Sequence, residues 1–321
     1  MNSKHANSMI RKPMSRRQIA LFAAILPLFM GCQVEQSKKI QAKPHSLPPL
    51  NAQFACLPPN SALIAAHRGT SRDMKLGENA LPSLKKLVDG GILMAEIDVA
   101  GLKDGVHILF HDGIWDDDTT GKGVVAASNW NQASNYLLRD NQGRLTSMAP
   151  PRFDDVLDYA KGRLYLEIDF KSSAKYDYVI KAIRNAGMSK DVILIAYTEK
   201  QAAALARRAP DMIISGSIRE NRDINRLIKA GVKRENIAAW VGAVSNSGSL
   251  EQTLNEQSIP ILALGRRNLK KYAKVAKVVV SDYALSDKAR GDYPGIIGLT
   301  RKSQTAYEAC LVSKSTMKPE T

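Results

Sequence analysis

Short runs of apolar residues alternate with amphipathic stretches along most of the chain. The runs at 63–66, 93–99, 106–110, 163–168, 192–197, 212–215, 237–241, 261–264 and 278–281 have the length of β-strands. Several are apolar at nearly every position, the pattern of parallel strands covered on both faces. Helical periods lie between them. Val179, Ile180 and Ile183 share one face ahead of Gly187, and Leu227 and Ile228 share one ahead of Gly231, each glycine being a helix stop. From Arg163 onward the strand-then-helix unit recurs roughly every 25 residues, which predicts a barrel or a doubly wound sheet. A length of about 250 uninterrupted residues fits the TIM-type (β/α)8 barrel. Nine runs exceed the eight such a barrel needs. Only residues 100–105 join the second and third, too few for a parallel crossover, so one of these two is expected to be irregular. Residues 113–152 break the rhythm with Trp115, Asp116, Asp117, Asp118, Gly121, Gly123 and Trp130. They read as an insertion after the run that ends in His111-Asp112, lying over the active-site end of the barrel.

The N-terminal part follows different rules. Lys4, Arg11, Lys12, Arg16 and Arg17 precede an apolar stretch at 19–30 that closes on Gly31-Cys32. The stretch is shorter than the roughly 20 residues that span a bilayer, and basic-then-apolar is the pattern of an export signal. Leu28-Phe29-Met30-Gly31-Cys32 resembles a bacterial lipoprotein box, in which the cysteine is lipidated. Ser15-Arg16-Arg17-Gln18-Ile19 resembles a twin-arginine signal. Residues 33–60 are polar, carry Pro44, Pro48, Pro49, Pro58 and Pro59, and show no period, the composition of a tether. The expected organisation is therefore a signal at 1–32, a tether at 33–60, the barrel at 61–300 and a C-terminal extension at 301–321. The protein is expected outside the inner membrane, in the periplasm or anchored as a lipoprotein through Cys32.

Charge narrows the partners. The 46 Lys and Arg against 31 Asp and Glu give +15. Setting aside the five basic residues of the signal leaves a body that is still basic, which suits phosphate substrates and anionic headgroups. No zinc-finger spacing, RNA-binding sheet motif or long basic run is present, so nucleic acid is not an expected partner. The expected partner is a small-molecule or lipid-derived phosphodiester, with membrane contact through the lipid anchor.

The chemistry-bearing residues gather at the ends of the first four runs. These carry His67-Arg68-Gly69, then Glu96-Ile97-Asp98, then His111-Asp112, then Glu167-Ile168-Asp169-Phe170-Lys171. Period-2 alternation puts Glu96 and Asp98 on one face, and Glu167, Asp169 and Lys171 on one face. An unpaired buried carboxylate is costly. Carboxylates converging in a barrel mouth therefore point to a shared cation, and all-oxygen ligands favour Ca²⁺ or Mg²⁺. Other residues carry bland readings: His107 is structural, Glu78 is an acid at a helix start, and Trp115, Trp130 and Trp240 pack.

His67-Arg68-Gly69, Glu78-Asn79, Glu96-Ile97-Asp98-Val99, Lys103-Asp104-Gly105 and His111-Asp112 together resemble the glycerophosphodiester phosphodiesterase family. So do Thr119-Thr120-Gly121-Lys122-Gly123, Glu167-Ile168 and Ser281-Asp282-Tyr283, and the similarity runs from about Ile64 to Tyr283. The resemblance implies metal-dependent hydrolysis of glycerophosphodiesters to glycerol phosphate and an alcohol. It implies Glu96, Asp98 and Glu167 as ligands of one divalent ion, His67 and His111 as general acid and base, and Arg68 on the phosphate. The competing expectations are a lysophospholipase D-type activity and a non-catalytic lipoprotein that binds lipid or phosphate. The family usually reads Glu-Ile-Lys where this chain reads Glu167-Ile168-Asp169, with Lys171 two positions on. Lys171 is then the candidate phosphate-binding lysine, and Asp169 either pairs with it or joins the ligands. Cys56 and Cys310 are left once Cys32 is assigned. They flank the first and last strands, which a closed barrel makes neighbours; they are read as a disulfide or as two separate buried thiols.

Overall fold

The computed structural model describes residues 47–242, 248–266, 269–286 and 293–316. Eight parallel strands close on themselves: β1 (Ala62–Ala66), β2 (Met94–Gly101), β4 (Tyr165–Phe170), β5 (Val192–Ala196), β6 (Ile213–Ser217), β7 (Ile237–Gly242), β8 (Ile261–Leu264) and β9 (Val278–Ser281). The β1–β2 and β1–β9 pairings complete the ring. This is the (β/α)8 barrel expected from the chain's alternation. The third run forms β3 (His107–Leu109), which pairs antiparallel with β2, so the irregular member of the nine is a returning hairpin arm. A two-residue strand, β10 (Ile296–Ile297), pairs antiparallel with the start of β1.

The helices around the ring are α2 (Leu81–Asp89), α4 (Phe153–Ala160), α5 (Tyr176–Ala186), α6 (Glu199–Arg208), α7 (Asn221–Lys229), α8 (Ser249–Glu256) and α9 (Leu269–Tyr272), with α1 (Leu50–Cys56), α3 (Trp130–Ala133) and α10 (Arg301–Thr316) outside it. The α5 helix buries Val179, Ile180 and Ile183 and ends on Gly187 at φ +73°, a left-handed position that glycine takes without a Cβ clash. In α7 the buried pair is Ile224 and Leu227, while Ile228 is 38% exposed. The face is set by i, i+3 spacing, so the residue after Leu227 turns toward solvent. Residues 113–152 lie between β3 and α4, with a small core of Trp115, Val125, Ala133, Leu138 and Met148 against Ile108 and Phe110. Trp115 is fully buried there, and Trp130 lies under Arg152. His107 is structural as read: Nδ1 faces the Gly105 carbonyl, Nε2 accepts from the Lys175 amide, and the ring stacks on Tyr178.

The barrel interior divides in two. At its N-terminal end Leu63, Met94, Tyr165, Ile193, Ile213, Ala238, Leu262 and Val278 fill the bore. The stretch read as a tether contributes to this plug, which corrects the 33–60 boundary. Leu50 is fully buried in α1, its amide donates to the Lys190 carbonyl, and the Tyr165 hydroxyl donates to the Pro48 carbonyl at 2.6 Å. Pro49 occupies the helix N-cap position, so this proline sets the approach to a helix. The C-terminal extension is also structured. The α10 helix brings Tyr307 to the Gln53 side chain, and Cys310 is bonded to Cys56 with Cα atoms 5.6 Å apart. The export segment and Cys32 lie outside the described residues. Among the described residues no helix is long and apolar enough to cross a membrane.

The bridge joins positions separated by 254 residues, so it constrains the unfolded chain strongly. Replacing both cysteines with serine is expected to lower the unfolding free energy by up to roughly 5 kcal/mol in the chain-entropy model, measured by urea denaturation. Thiol labelling of denatured, unreduced protein is expected to leave Cys56 and Cys310 unmodified.

Candidate active site

Each barrel strand sends alternate residues inward, and continuing those rows past the apolar plug gives the walls of the mouth. The row Met94, Glu96, Asp98 climbs β2, and Tyr165, Glu167, Asp169, Lys171 climbs β4. Ala65 leads to His67, Ile193 to Ile195 and Tyr197, Ile213 to Ser215 and Ser217, Ala238 to Trp240, and Leu262 to Leu264. The upper members of these rows line a cleft of about 280 Å³ that contains both histidines and all four carboxylates. His111 reaches it by another route: β2 rises to Gly101, turns, and β3 descends again, returning the chain beside Asp98.

The His-Arg-Gly turn organises one side. Arg68 sits at φ +51° and Gly69 at φ +60°, and a Cβ on Gly69 would stand 2.9 Å from Leu84. A left-handed arginine is uncommon and costs energy. Here it directs the Arg68 amide onto Glu96 Oε2 at 2.7 Å and its carbonyl toward the Asn79 amide at 2.7 Å. Asn79 is itself left-handed, at φ +52°. Its side chain donates to Asp98 Oδ2 at 2.7 Å and accepts from the Asp98 amide at 3.0 Å. Glu78 does not start a helix, because α2 begins at Leu81. It accepts from Arg68 Nη1 at 2.7 Å and so holds the guanidinium beside His111. Adjacent left-handed positions had no counterpart in strand or helix periodicity, so this role was hidden.

Both imidazoles are braced by aspartates. His67 Nδ1 lies 2.7 Å from Asp282 Oδ1, and its Nε2 lies 3.9 Å from Glu96 Oε2. His111 Nδ1 lies 2.5 Å from Asp112 Oδ1, and Arg68 Nη2 donates to its Nε2 at 3.0 Å. The Nε2–arginine bond fixes the tautomer: the ring accepts at Nε2 and donates from Nδ1 to Asp112. Asp118, in the insertion, shares a hydrogen bond with Asp112. Burial, then the charge of Asp112 and that bond, push Asp118 up to about 6. Asp112 was legible only as half of the His-Asp pair, and Asp282 only as the residue after the last strand.

Glu96 and Glu167 are register partners, as are Asp98 and Asp169. Burial, reinforced by Asp98, drives Glu96 well above the carboxylate range, and burial with the charge of Asp169 pushes Glu167 up to about 8. Lys171 Nζ meets Asp98 Oδ1 at 2.6 Å and Asp169 Oδ2 at 2.7 Å, and the Tyr197 hydroxyl donates to Asp169 Oδ2. Asp169 thus faces the cleft and pairs with Lys171. Oxygens of Glu96, Asp98 and Asp169 lie within 4.8 Å of one another. Glu167 is outside that set but stands beside it, and Glu167 Oε2 and Asp169 Oδ1 are buried without a hydrogen-bond partner. An all-oxygen cluster with two orphaned acceptors can hold a hard divalent cation. Trp240 lines the cleft rather than simply packing, because it is the next inward position after Ala238.

The sequence model of the glycerophosphoryl diester phosphodiesterase family matches residues 67–273. An uncharacterized protein of Bacillus subtilis, YqiK, is 28% identical over 155 residues, covering 46% of this chain; the match spans less than two thirds, 63%, of that relative's length. Among solved structures, a glycerophosphoryl diester phosphodiesterase from Parabacteroides distasonis superposes with a TM-score of 0.64 at 17% identity, covering 77% of this chain and 96% of that one. A glycerophosphodiester phosphodiesterase from Agrobacterium tumefaciens gives 0.60 at 17% identity, covering 69% and 96%. An Oleispira antarctica phosphodiesterase, in complex with the product sn-glycerol-3-phosphate, gives 0.55 at 17% identity, covering 80% and 99%. These structural likenesses establish the fold.

Glu167 binds its proton more tightly in the folded protein than in the unfolded chain. In chelator the stability it contributes is therefore present below the ordinary value of 4.5 and is lost as pH rises through about 8. Urea denaturation of ion-free protein is expected to show declining stability across that window, and Glu167→Gln is expected to flatten part of the decline. A wild-type profile that rises with pH across it would contradict the burial of a proton-binding carboxyl at this position.

Proposed function

The chain belongs to the glycerophosphoryl diester phosphodiesterase family, and from that premise we propose that it hydrolyses glycerophosphodiesters to glycerol phosphate and an alcohol. The observation that carries the reading is the pair of imidazoles, each braced at Nδ1 by an aspartate, both lining one cleft with four buried carboxylates. We assign Glu96, Asp98 and Asp169, with Glu167 beside them, as the residues that would hold one divalent ion, Ca²⁺ or Mg²⁺. Bound there, such an ion would supply Lewis-acid neutralisation of the phosphate and activation of the attacking hydroxyl.

The chain's own residues perform the proton transfers. Arg68, held by Glu78, presents its guanidinium to the phosphate, a planar fork suited to two phosphate oxygens. Engagement of the phosphate draws Nη2 from His111 and frees the Nε2 lone pair. His111 Nε2 accepts the proton of the attacking hydroxyl, either water or the substrate's glycerol hydroxyl, as its oxygen bonds to phosphorus. His67 Nε2 donates a proton to the leaving alcohol oxygen as the phosphorus–oxygen bond breaks. Attack by the glycerol hydroxyl leaves a cyclic phosphate that a second, water-driven cycle opens. Asp112 and Asp282 hold the rings in orientation throughout. We further read residues 1–32 as an export signal ending in a lipidated Cys32, which would place the enzyme where diesters from degraded phospholipid are released.

Incubating the purified protein with sn-glycero-3-phosphocholine, -ethanolamine and -glycerol, each with Ca²⁺, Mg²⁺ or Zn²⁺, is expected to release glycerol phosphate with Ca²⁺ or Mg²⁺ and to stop on chelation. No release from any diester with any ion overturns the reading. His67→Ala and His111→Ala are each expected to lower kcat by on the order of 100-fold or more, with circular dichroism unchanged. Near-normal turnover in both variants would exclude the acid–base assignment.

A further inference from the structure

Lys171 stands where a cation would stand. Its ammonium is within 2.7 Å of one oxygen from each of Asp98 and Asp169, two of the three residues whose oxygens converge tightly enough for one metal ion. The remaining oxygen of Asp98 accepts from Asn79, whose side chain is itself held in place by the Asp98 amide, so the carboxylate cannot turn to offer a fresh atom without breaking that hydrogen bond. A divalent ion drawing on Asp98 must compete with the ammonium for Oδ1. The two cations also repel at contact distance in a largely buried site, where screening is weak.

The lysine has somewhere else to go. Its side chain is partly exposed on the cleft wall and sits on a flexible four-carbon stem. Arg68, by contrast, is fastened to Glu78 and His111. Of these two cations bordering the carboxylates, Lys171 is the one whose anchors are the carboxylates themselves.

We propose that Lys171 is a displaceable internal counter-ion: a divalent ion takes its place on Asp98 and Asp169, and the released ammonium becomes a ligand of the substrate phosphate. The inference rests on the metal-dependent reading above and assigns it a coupling device. Fully ionised, the four carboxylates exceed Arg68 and Lys171 by two negative charges, which one divalent ion cancels. A diester arriving before the ion would meet a lysine committed elsewhere. Ion binding therefore prepares the phosphate site, and linkage requires that phosphate tighten ion binding by the same factor.

Isothermal titration of the full chain separates the possibilities. Lys171→Met is expected to bind Ca²⁺ or Mg²⁺ about 10-fold more tightly than wild type, within the usual range of site-to-site coupling. It is expected to bind sn-glycerol-3-phosphate about 10-fold more weakly, and only when the ion is present. Lys171→Gln, which keeps hydrogen-bond donors for Asp98 and Asp169, is expected to behave alike, and circular dichroism verifies that each variant folds. Ion affinity that is unchanged or weaker in both variants overturns the proposal. So does a loss of glycerol-phosphate binding that is equal with and without the ion. Wild-type protein that binds neither ion fails the metal centre itself, whereas ion binding indifferent to Lys171 fails only the coupling.

Discussion

Repulsion among four carboxylates on two hydrogen-bonded strands is the constraint around which the mouth is organised. Glu96 faces Glu167 and Asp98 faces Asp169 in strict register, and all four are buried. Strand pairing fixes their spacing, so the charges cannot relax by moving apart. What surrounds them is arranged to offset that field. A left-handed arginine donates its amide to Glu96, an asparagine takes both the backbone and side chain of Asp98, a lysine bridges Asp98 and Asp169, and a tyrosine hydroxyl reaches Asp169. Two oxygens still lack partners. A site with this much unresolved charge is poised for a cation and, beyond it, for an anion.

The same strands that carry the charge carry its support. Tyr165 occupies the inward row of β4 directly below Glu167 and sends its hydroxyl down to the backbone of the segment leading into α1. Below the carboxylates the bore is apolar, closed by α1 and α10 and stapled by the bridge between them. Burying carboxylates is tolerable because the other pole is packed and covalently tied. The division follows the barrel's general asymmetry, in which one pole carries stability and the other carries chemistry.

Much of this was written in the chain. Glu96, Asp98, Glu167, Asp169 and Lys171 were placed on shared faces by period-2 spacing alone, and the structure has them there. The barrel followed from strand-then-helix alternation, and the hairpin from a connection too short for a crossover. Three kinds of feature were not legible. Glu78 reads as a helix-start acid because nothing local marks the left-handed turn at Asn79 that delays the helix to Leu81. Asp282 and Asp112 act through partners 215 positions and one position away respectively, and neither spacing has a periodic signature. The proline-bearing stretch before the barrel reads as a tether because α1 is only about two turns long. Its burial depends on α10, some 250 residues downstream, so no local period betrays it.

The route by which the chain enters the barrel also sets the molecule's bearing. Pro48 and Leu50 are fastened to Tyr165 and to the Lys190 carbonyl at the plugged pole, while His67 and His111 open at the other. Leu47, the first described residue, packs against that plug, so the described chain enters the barrel from the pole opposite both histidines.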